Sequence, residues 1–392
     1  TPKEELENKA FLVENSSDQY IVFYKMNIDK ENVSCDVKNS ILQINVKTSG
    51  NAENTYAYKI INPKEKNYES INLIKDGDRL LLGVSGGPDS IAMLNILNDI
   101  KNDKKQHMNF DIIVAHVNHM IREEAIEDQK FVENFCKKIG VTFYAKSIDV
   151  QKIANNKKIG TEEAGRNARY EFFDEILEKE NANKIAIAHN KNDKIETIIM
   201  NMLRGSGIAG LKGIEPIKNN KYIRPLIECE RFEIEEYCAQ NGIEPRIDRT
   251  NFENVYTRNK VRNIVIPFIK KEFNPNIIQT MDRLSDLVKE EDEYLENVVE
   301  EKYKEYVQQE EKKQIVMDLK GFNKQEKVIK SRLLLYTISR LFGTTKGIEK
   351  IHIEDIIKLC KKNIGNKYLT PNKNIKVLVK NQKIYFINQN LA

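Results

Sequence analysis

Residues with the types and spacing to handle a nucleotide sit at 85–90, reading Ser85-Gly86-Gly87-Pro88-Asp89-Ser90. Gly86 and Gly87 open backbone angles closed to other residues and let a ligand approach the main chain. Pro88 suits a first helical turn, where an N–H would lack a partner anyway. The free amides and positive dipole end of a helix starting there suit phosphate. Ser85 and Ser90 add hydroxyls, and Asp89 adds a carboxylate able to hold Mg²⁺ against polyphosphate. No G-x-x-x-x-G-K-[ST] occurs, so this is not a Walker A loop.

Further candidates follow in order along the chain. His116 and Asn118, with His119, lie in the run 115–128, where Arg122, Glu123, Glu124 and Asp128 are either site residues or a solvated helix face. Glu162 and Arg166 are spaced to pair with each other on a helix, or Arg166 and Arg169 face phosphate. Asp193 and Glu196 are three apart near a helix start, so their carboxylates share one face. There they either favour the helix dipole or receive an ammonium ligand. His189 precedes them as a candidate proton acceptor. Arg204, before Gly205-Ser206-Gly207, is placed to balance charge on a leaving group, with the glycines as a mobile loop.

These groups need a scaffold, and the pattern supplies one. Apolar runs at 80–84, 111–117, 141–145 and 184–188 read as strands, alternating with helices near 90–100, 122–138, 162–177 and 193–203. That alternation implies an α/β fold with a doubly wound, mostly parallel sheet. In such sheets ligands bind beyond the carboxyl ends of the strands, and 85–90, 116–119 and 189–190 all fall at such ends. The expected domains are a β-rich segment at 1–66, a catalytic domain at 67–275 and a helical domain at 276–392. In the last, 277–310 reads as an amphipathic helix pair or connector. Helices near 324–341 and 353–361 follow it, then a closing hairpin of 375–379 and 383–387.

The chain has 392 residues and a net charge of +4, so any nucleic-acid surface is a local patch. The stretch 246–271 is such a patch. It interleaves Arg246, Arg249, Arg258, Lys260, Arg262, Lys270 and Lys271 with Phe252 and Tyr256, suited to phosphates and unstacked bases. Five scattered cysteines without a C-x-x-C argue against a zinc knuckle or disulfide framework and fit a reducing cytoplasm. No run of 18 apolar residues suggests a membrane partner. The first ten residues carry no basic-then-apolar targeting signal, and a chain opening on Thr1 leaves room for residues upstream.

Directly after an apolar strand, S-G-G-P-D-S resembles the pyrophosphate loop of the N-type ATP pyrophosphatases, which split ATP into AMP and pyrophosphate. With A-H-V-N-H, T-E-E-A-G-R-N-A-R-Y, the run 188–214 and R-P-L-I at 224–227, the order and spacing are similar to the tRNA(Ile)-lysidine synthetase family. The likeness spans about 70–275 strongly and 276–392 loosely. Two departures are Asn167, where the family more often has an acid, and Gly165 in place of a usual Ala.

The resemblance implies a Rossmann-like fold and ATP and Mg²⁺ as cofactors. It also implies an isoleucine tRNA with a CAU anticodon and L-lysine as partners, with a homodimer as the expected assembly. It assigns ATP to Ser85–Ser90, His116 and Asn118, and lysine to Asp193 and Glu196. Asp89, Arg166, His189, Asp193, Glu196 and Arg204 would serve catalysis, and Arg246, Arg249, Phe252, Tyr256, Arg258, Lys260 and Arg262 the tRNA. The alternatives are a thiolating relative or an amide-forming ATP pyrophosphatase. Members often carry a further C-terminal domain, so this chain resembles a shorter form. Residues in 1–66 also resemble part of a small-heat-shock or co-chaperone β-sandwich, without its final strands, and are expected to have no catalytic role.

Overall fold

The computed structural model describes residues 73–102, 108–120, 125–246, 256–362 and 367–391, together with the backbone of five strands before residue 61. The chain forms two compact units, Thr1–Asn72 and Leu73–Ala392. In the first, strands β1 (Lys9–Glu14), β2 (Gln19–Tyr24), β3 (Val33–Lys38), β4 (Ile41–Val46) and β5 (Tyr56–Ile60) make two antiparallel sheets, β1-β2-β5 and β3-β4. The segment is β-rich, as its sequence implies.

The second unit begins with β6 (Arg79–Gly83), α1 (Pro88–Asn102), β7 (Asp111–Asn118), α2 (Ala125–Ile139) and β8 (Thr142–Ser147). It continues through α3 (Val150–Lys157), α4 (Thr161–Lys179), β9 (Lys184–Ile187), α5 (Lys191–Leu203) and α6 (Ile208–Leu211). The short strands β10 (Ile217–Lys218) and β11 (Tyr222–Ile223) and helix α7 (Arg231–Gln240) follow. The sheet order is β10-β11-β9-β6-β7-β8, parallel except for β10. Leu80, Leu81 and Leu82 of the central strand are all fully buried, as a strand covered on both faces requires. Alternation sorts them: Leu80 and Leu82 pack with α1 and α7, and Leu81 with Phe172 and Phe173 of α4. The chain leaves β6 in one direction through β7 and β8, then returns to place β9 on its other side. The crevice at that reversal lies between the loops after β6 and β9.

Beyond α7, α8 (Thr257–Lys260) runs through a π-helical turn (Val261–Val265) into α9 (Ile266–Glu272). The Ile266 amide donates to Val261, and Pro267 next to it lacks an N–H and crowds the preceding turn. Helix α10 (Ile277–Tyr306) is one continuous helix of 30 residues, the long connector of the two expected alternatives and not the pair. Its first half packs on α5 and α9 through Ile278 against Ile195, Ile198, Ile199 and Ile266. Acidic residues fasten it: Asp282 pairs with Lys191 and Lys194, and Asp292 joins Lys212 to Arg332.

The chain closes with β12 (Val307–Glu310), β13 (Gln314–Asp318), α11 (Leu319–Lys324), α12 (Lys327–Phe342), α13 (Lys350–Lys362), β14 (Lys367–Asn372), β15 (Ile375–Lys380) and β16 (Lys383–Asn388). The anticipated hairpin exists as β15–β16. It is two strands of a five-stranded antiparallel sheet ordered β12-β13-β16-β15-β14, so this part is α+β and not helical with a hairpin appended. Met317, Val377, Val379, Ile384 and Phe386 pack there with Phe322, Leu333 and Ile356, in a core separate from those of the parallel sheet.

Candidate active site

The loop after β6 turns through Gly86, whose φ of +98° is left-handed and favours glycine. Gly87 has no such need, and a Cβ there would meet only Ser85 Oγ at 3.7 Å and the Arg246 carbonyl at 3.9 Å. Its lack of a side chain instead keeps the mouth of the loop open. Ser90 is buried and turned inward: its Oγ accepts from the Ser85 and Gly86 amides and donates to the Gly87 carbonyl. The expected phosphate hydroxyl is therefore a brace, and the open contacts fall to Ser85, Gly87 and the first-turn amides of α1, which have no intrahelical partner.

His116 and Asn118, expected on the nucleotide, each make a hydrogen bond that braces the strand end. His116 shares the strand face of Ile112 and Val114 and is 3% exposed; its Nδ1–H donates to the Val84 carbonyl at 2.9 Å. Burial lowers its pKa, keeping it neutral. Asn118 accepts from the Met120 amide. His119 accepts from Arg169, and burial with that arginine lowers its pKa to about 4. Arg122, Glu123 and Glu124 lie outside the described residues.

Asp89 begins α1 facing the crevice. Its Oδ1 accepts from Asn190 Nδ2 at 3.0 Å, and Oδ2 lies 4.0 Å from Arg231. Burial raises its pKa above the usual carboxylate value, only partly offset by Arg231 and Asn190, so its charge is under-compensated. Across the crevice, Asn190 caps α5 in a reciprocal capping box with Asp193. Asp193 and Glu196 share a face as their spacing implies, and one guanidinium spans both. Arg262 donates to Asp193 Oδ1 at 2.9 Å and to Glu196 at 2.5 and 2.8 Å. Arg258 Nε lies 3.5 Å from Glu196 and its Nη2 donates to Thr197. Burial raises the pKa of Glu196 against the pull of Arg262.

Of the three arginines expected on tRNA, Arg262 turns to the Asp193–Glu196 pair with Arg258 half-buried beside it, whereas Arg246 stays substantially exposed. Arg246 pairs with Glu127 and Asp128, and its amide donates to Gly86, tying the loop to α2. Asp193 and Glu196 are largely shielded from water and need the cations that Arg262 and Arg258 supply. Arg249 and Phe252 lie outside the described residues. Tyr256, Lys260, Ile264 and Phe268, spaced four apart, remain exposed along α8–α9.

His189 is not built as a base. Its Nδ1 accepts from Arg224, which leaves the proton on Nε2, and burial with Arg224, Arg258 and Arg166 lowers its pKa to about 4. Arg166 stacks over Tyr170 at 5.4 Å rather than pairing with Glu162, and is near enough to act on His189. Arg204 caps the far end of α5, about 16 Å along the axis from Asp193 at 1.5 Å per residue, and is exposed. Asn190, expected at a strand end but given no role, joins the two halves of the crevice. Its signal was an N-cap type three residues before an acid.

A glycine turn between a parallel strand and a helix, at the sheet's reversal and facing a carboxylate pair, defines a PP-loop ATP-binding protein, and the PP-loop domain family matches residues 55–269. A tRNA(Ile)-lysidine synthase of Clostridioides difficile is 43% identical over 82% of this chain and 69% of its own length. One of Clostridium acetobutylicum is 45% identical over 80% and 66%. The chain belongs to the tRNA(Ile)-lysidine synthase family, and spans about two thirds of the length of these relatives. Among solved structures, a U34-tRNA thiolase, NcsA, of Methanococcus maripaludis aligns with 55% of this chain and 74% of its own, at 20% identity and a TM-score of 0.45. No described helix is long and apolar enough to cross a membrane.

Proposed function

We propose that this chain uses ATP, in the cytoplasm, to join the ε-amine of L-lysine to C2 of the wobble cytidine in a CAU-anticodon isoleucine tRNA. The products are lysidine, AMP and pyrophosphate. The observation that carries the reading is the junction of Asp89 with the Asp193–Glu196 pair across one crevice. A polyphosphate site and an ammonium site then face each other, as an amine displacing an adenylate requires.

The cytidine C2 oxygen attacks the α-phosphorus of ATP and pyrophosphate leaves. The lysine nitrogen then attacks C2, the C2–O bond breaks, and AMP departs with the oxygen. The first-turn amides of α1 and the open Gly87 hold the polyphosphate. Asp89 fits Mg²⁺, since burial leaves its carboxylate under-compensated and one carboxylate plus substrate phosphates is the usual set for that ion. Bound there, the ion would neutralise charge on the phosphates. Asp193 and Glu196 receive the lysine ammonium, sharing or displacing Arg262. That ammonium, with an ordinary pKa of about 10.4, loses a proton before attack. Glu196, pushed upward by burial, suits that proton better than His189 does.

The exposed stripe of Tyr256, Lys260, Ile264 and Phe268 offers aromatic and basic contacts to the tRNA. Sulfur transfer by the four cysteines among the described residues is disfavoured: burial pushes the Cys136 and Cys360 thiols to about 12 and raises those of Cys229 and Cys238. The test is AMP release, expected to need lysine and the CAU isoleucine tRNA and to be small with a CAU methionine tRNA. Release indifferent to lysine refutes the reading.

A further inference from the structure

Asn190 is fully buried, yet both polar atoms of its side-chain amide are used, between the Asp193 backbone and the Asp89 carboxylate. Its Oδ1 accepts from the Asp193 amide at 2.9 Å, and its Nδ2 donates to Asp89 Oδ1 at 3.0 Å. Both partners demand the same orientation of the side-chain amide, because the backbone N–H can only donate and the carboxylate accepts. The helix cap therefore aims a fixed donor at Asp89. With Oδ1 held in this way, Oδ2 is left toward the crevice, with Arg231 4.0 Å away.

We infer that Asn190 is a positioning residue for the metal–nucleotide end of the site, presenting Asp89 Oδ2 to a divalent cation while it caps the helix that carries the ammonium carboxylates. The inference rests on Asp89 being the metal-binding carboxylate. Capping and bridging are separable, because serine caps a helix about as well as asparagine but is too short to carry an amide to Asp89. Hydrogen-bond partners of metal ligands are commonly worth about 10–100-fold in metal affinity.

The experiment measures Mn²⁺ binding to the full chain with α,β-methylene-ATP, alongside thermal melting, for wild type, Asn190→Ser and Asn190→Ala. Asn190→Ser is expected to melt with wild type, bind Mn²⁺ about 10-fold or more weakly, and raise the Mg²⁺ requirement of turnover with a smaller change in kcat at saturating Mg²⁺. Asn190→Ala should share the metal defect and also melt lower, having lost the cap. A serine variant that binds Mn²⁺ as wild type does, or loses it only in step with its folded fraction, overturns the inference. Wild type that takes up no Mn²⁺ with the nucleotide overturns the reading of Asp89 and the inference with it.

Discussion

Replacing Arg262 with alanine removes the one group that, among the described residues, bonds both Asp193 and Glu196. Three hydrogen bonds vanish, and Glu196, with a side chain 1% exposed, keeps the Arg258 contact at 3.5 Å. Removing one partner of a buried ion pair costs about 3–5 kcal/mol, and the remaining Arg258 places this case near the lower end, about 3 kcal/mol. For a unit of this size, at about 2 °C per kcal/mol, the melting midpoint should fall by about 6 °C. Urea unfolding of Arg262→Ala, Glu196→Gln and the double variant would give the pair's coupling, expected to be about 2 kcal/mol or more. Saturating lysine should also protect Arg262→Ala more than wild type, since its ammonium meets unpaired carboxylates; ligand at about 100 times its Kd contributes about 2.7 kcal/mol. A loss below about 1 kcal/mol, or effects that simply add, would refute a coupled buried cluster. Equal protection of both proteins by lysine would refute the assignment of these carboxylates to the ammonium.

Asp89→Ala should abolish turnover while leaving tRNA affinity nearly intact; a fully active variant would remove the metal role. Gly165→Ala should stabilise the protein by about 0.5–1 kcal/mol in urea unfolding, because a Cβ there meets Val150 at 3.4 Å and His119 at 3.6 Å, both ordinary contacts inside a helix. His119 and His189, depressed to about 4 from 6.5, contribute stability that is fully present above pH 6.5 and lost as pH falls toward 4. The shift corresponds to at most about 3 kcal/mol per ring, less where water reaches it, and His189→Asn should flatten the dependence of the urea midpoint on pH.

The loop and its sheet were legible because their signals are local: Leu80–Leu82 read as a covered strand, and the glycines and Pro88 punctuate its exit. The shared face of Asp193 and Glu196 was legible from spacing alone. Their partner was not, since nothing near them names Arg262, far along the chain. A patch of arginines and aromatics looks the same in sequence whether it faces RNA or neutralises buried acids. The burial of His116 was legible too, since period-two alternation places it on the strand face of Ile112 and Val114. The C-terminal sheet escaped notice because β12 is polar and exposed at an edge, and β13 is a short run between charged neighbours.

Mass analysis of nucleosides from the CAU isoleucine tRNA, after incubation with the full chain, ATP, Mg²⁺ and isotopically labelled lysine, tests the central claim most directly. The account predicts one new nucleoside, a cytidine that has lost its C2 oxygen and gained one labelled lysine, found only at the wobble position. Cleavage of ATP with every nucleoside unchanged, or with sulfur in place of lysine, would contradict it.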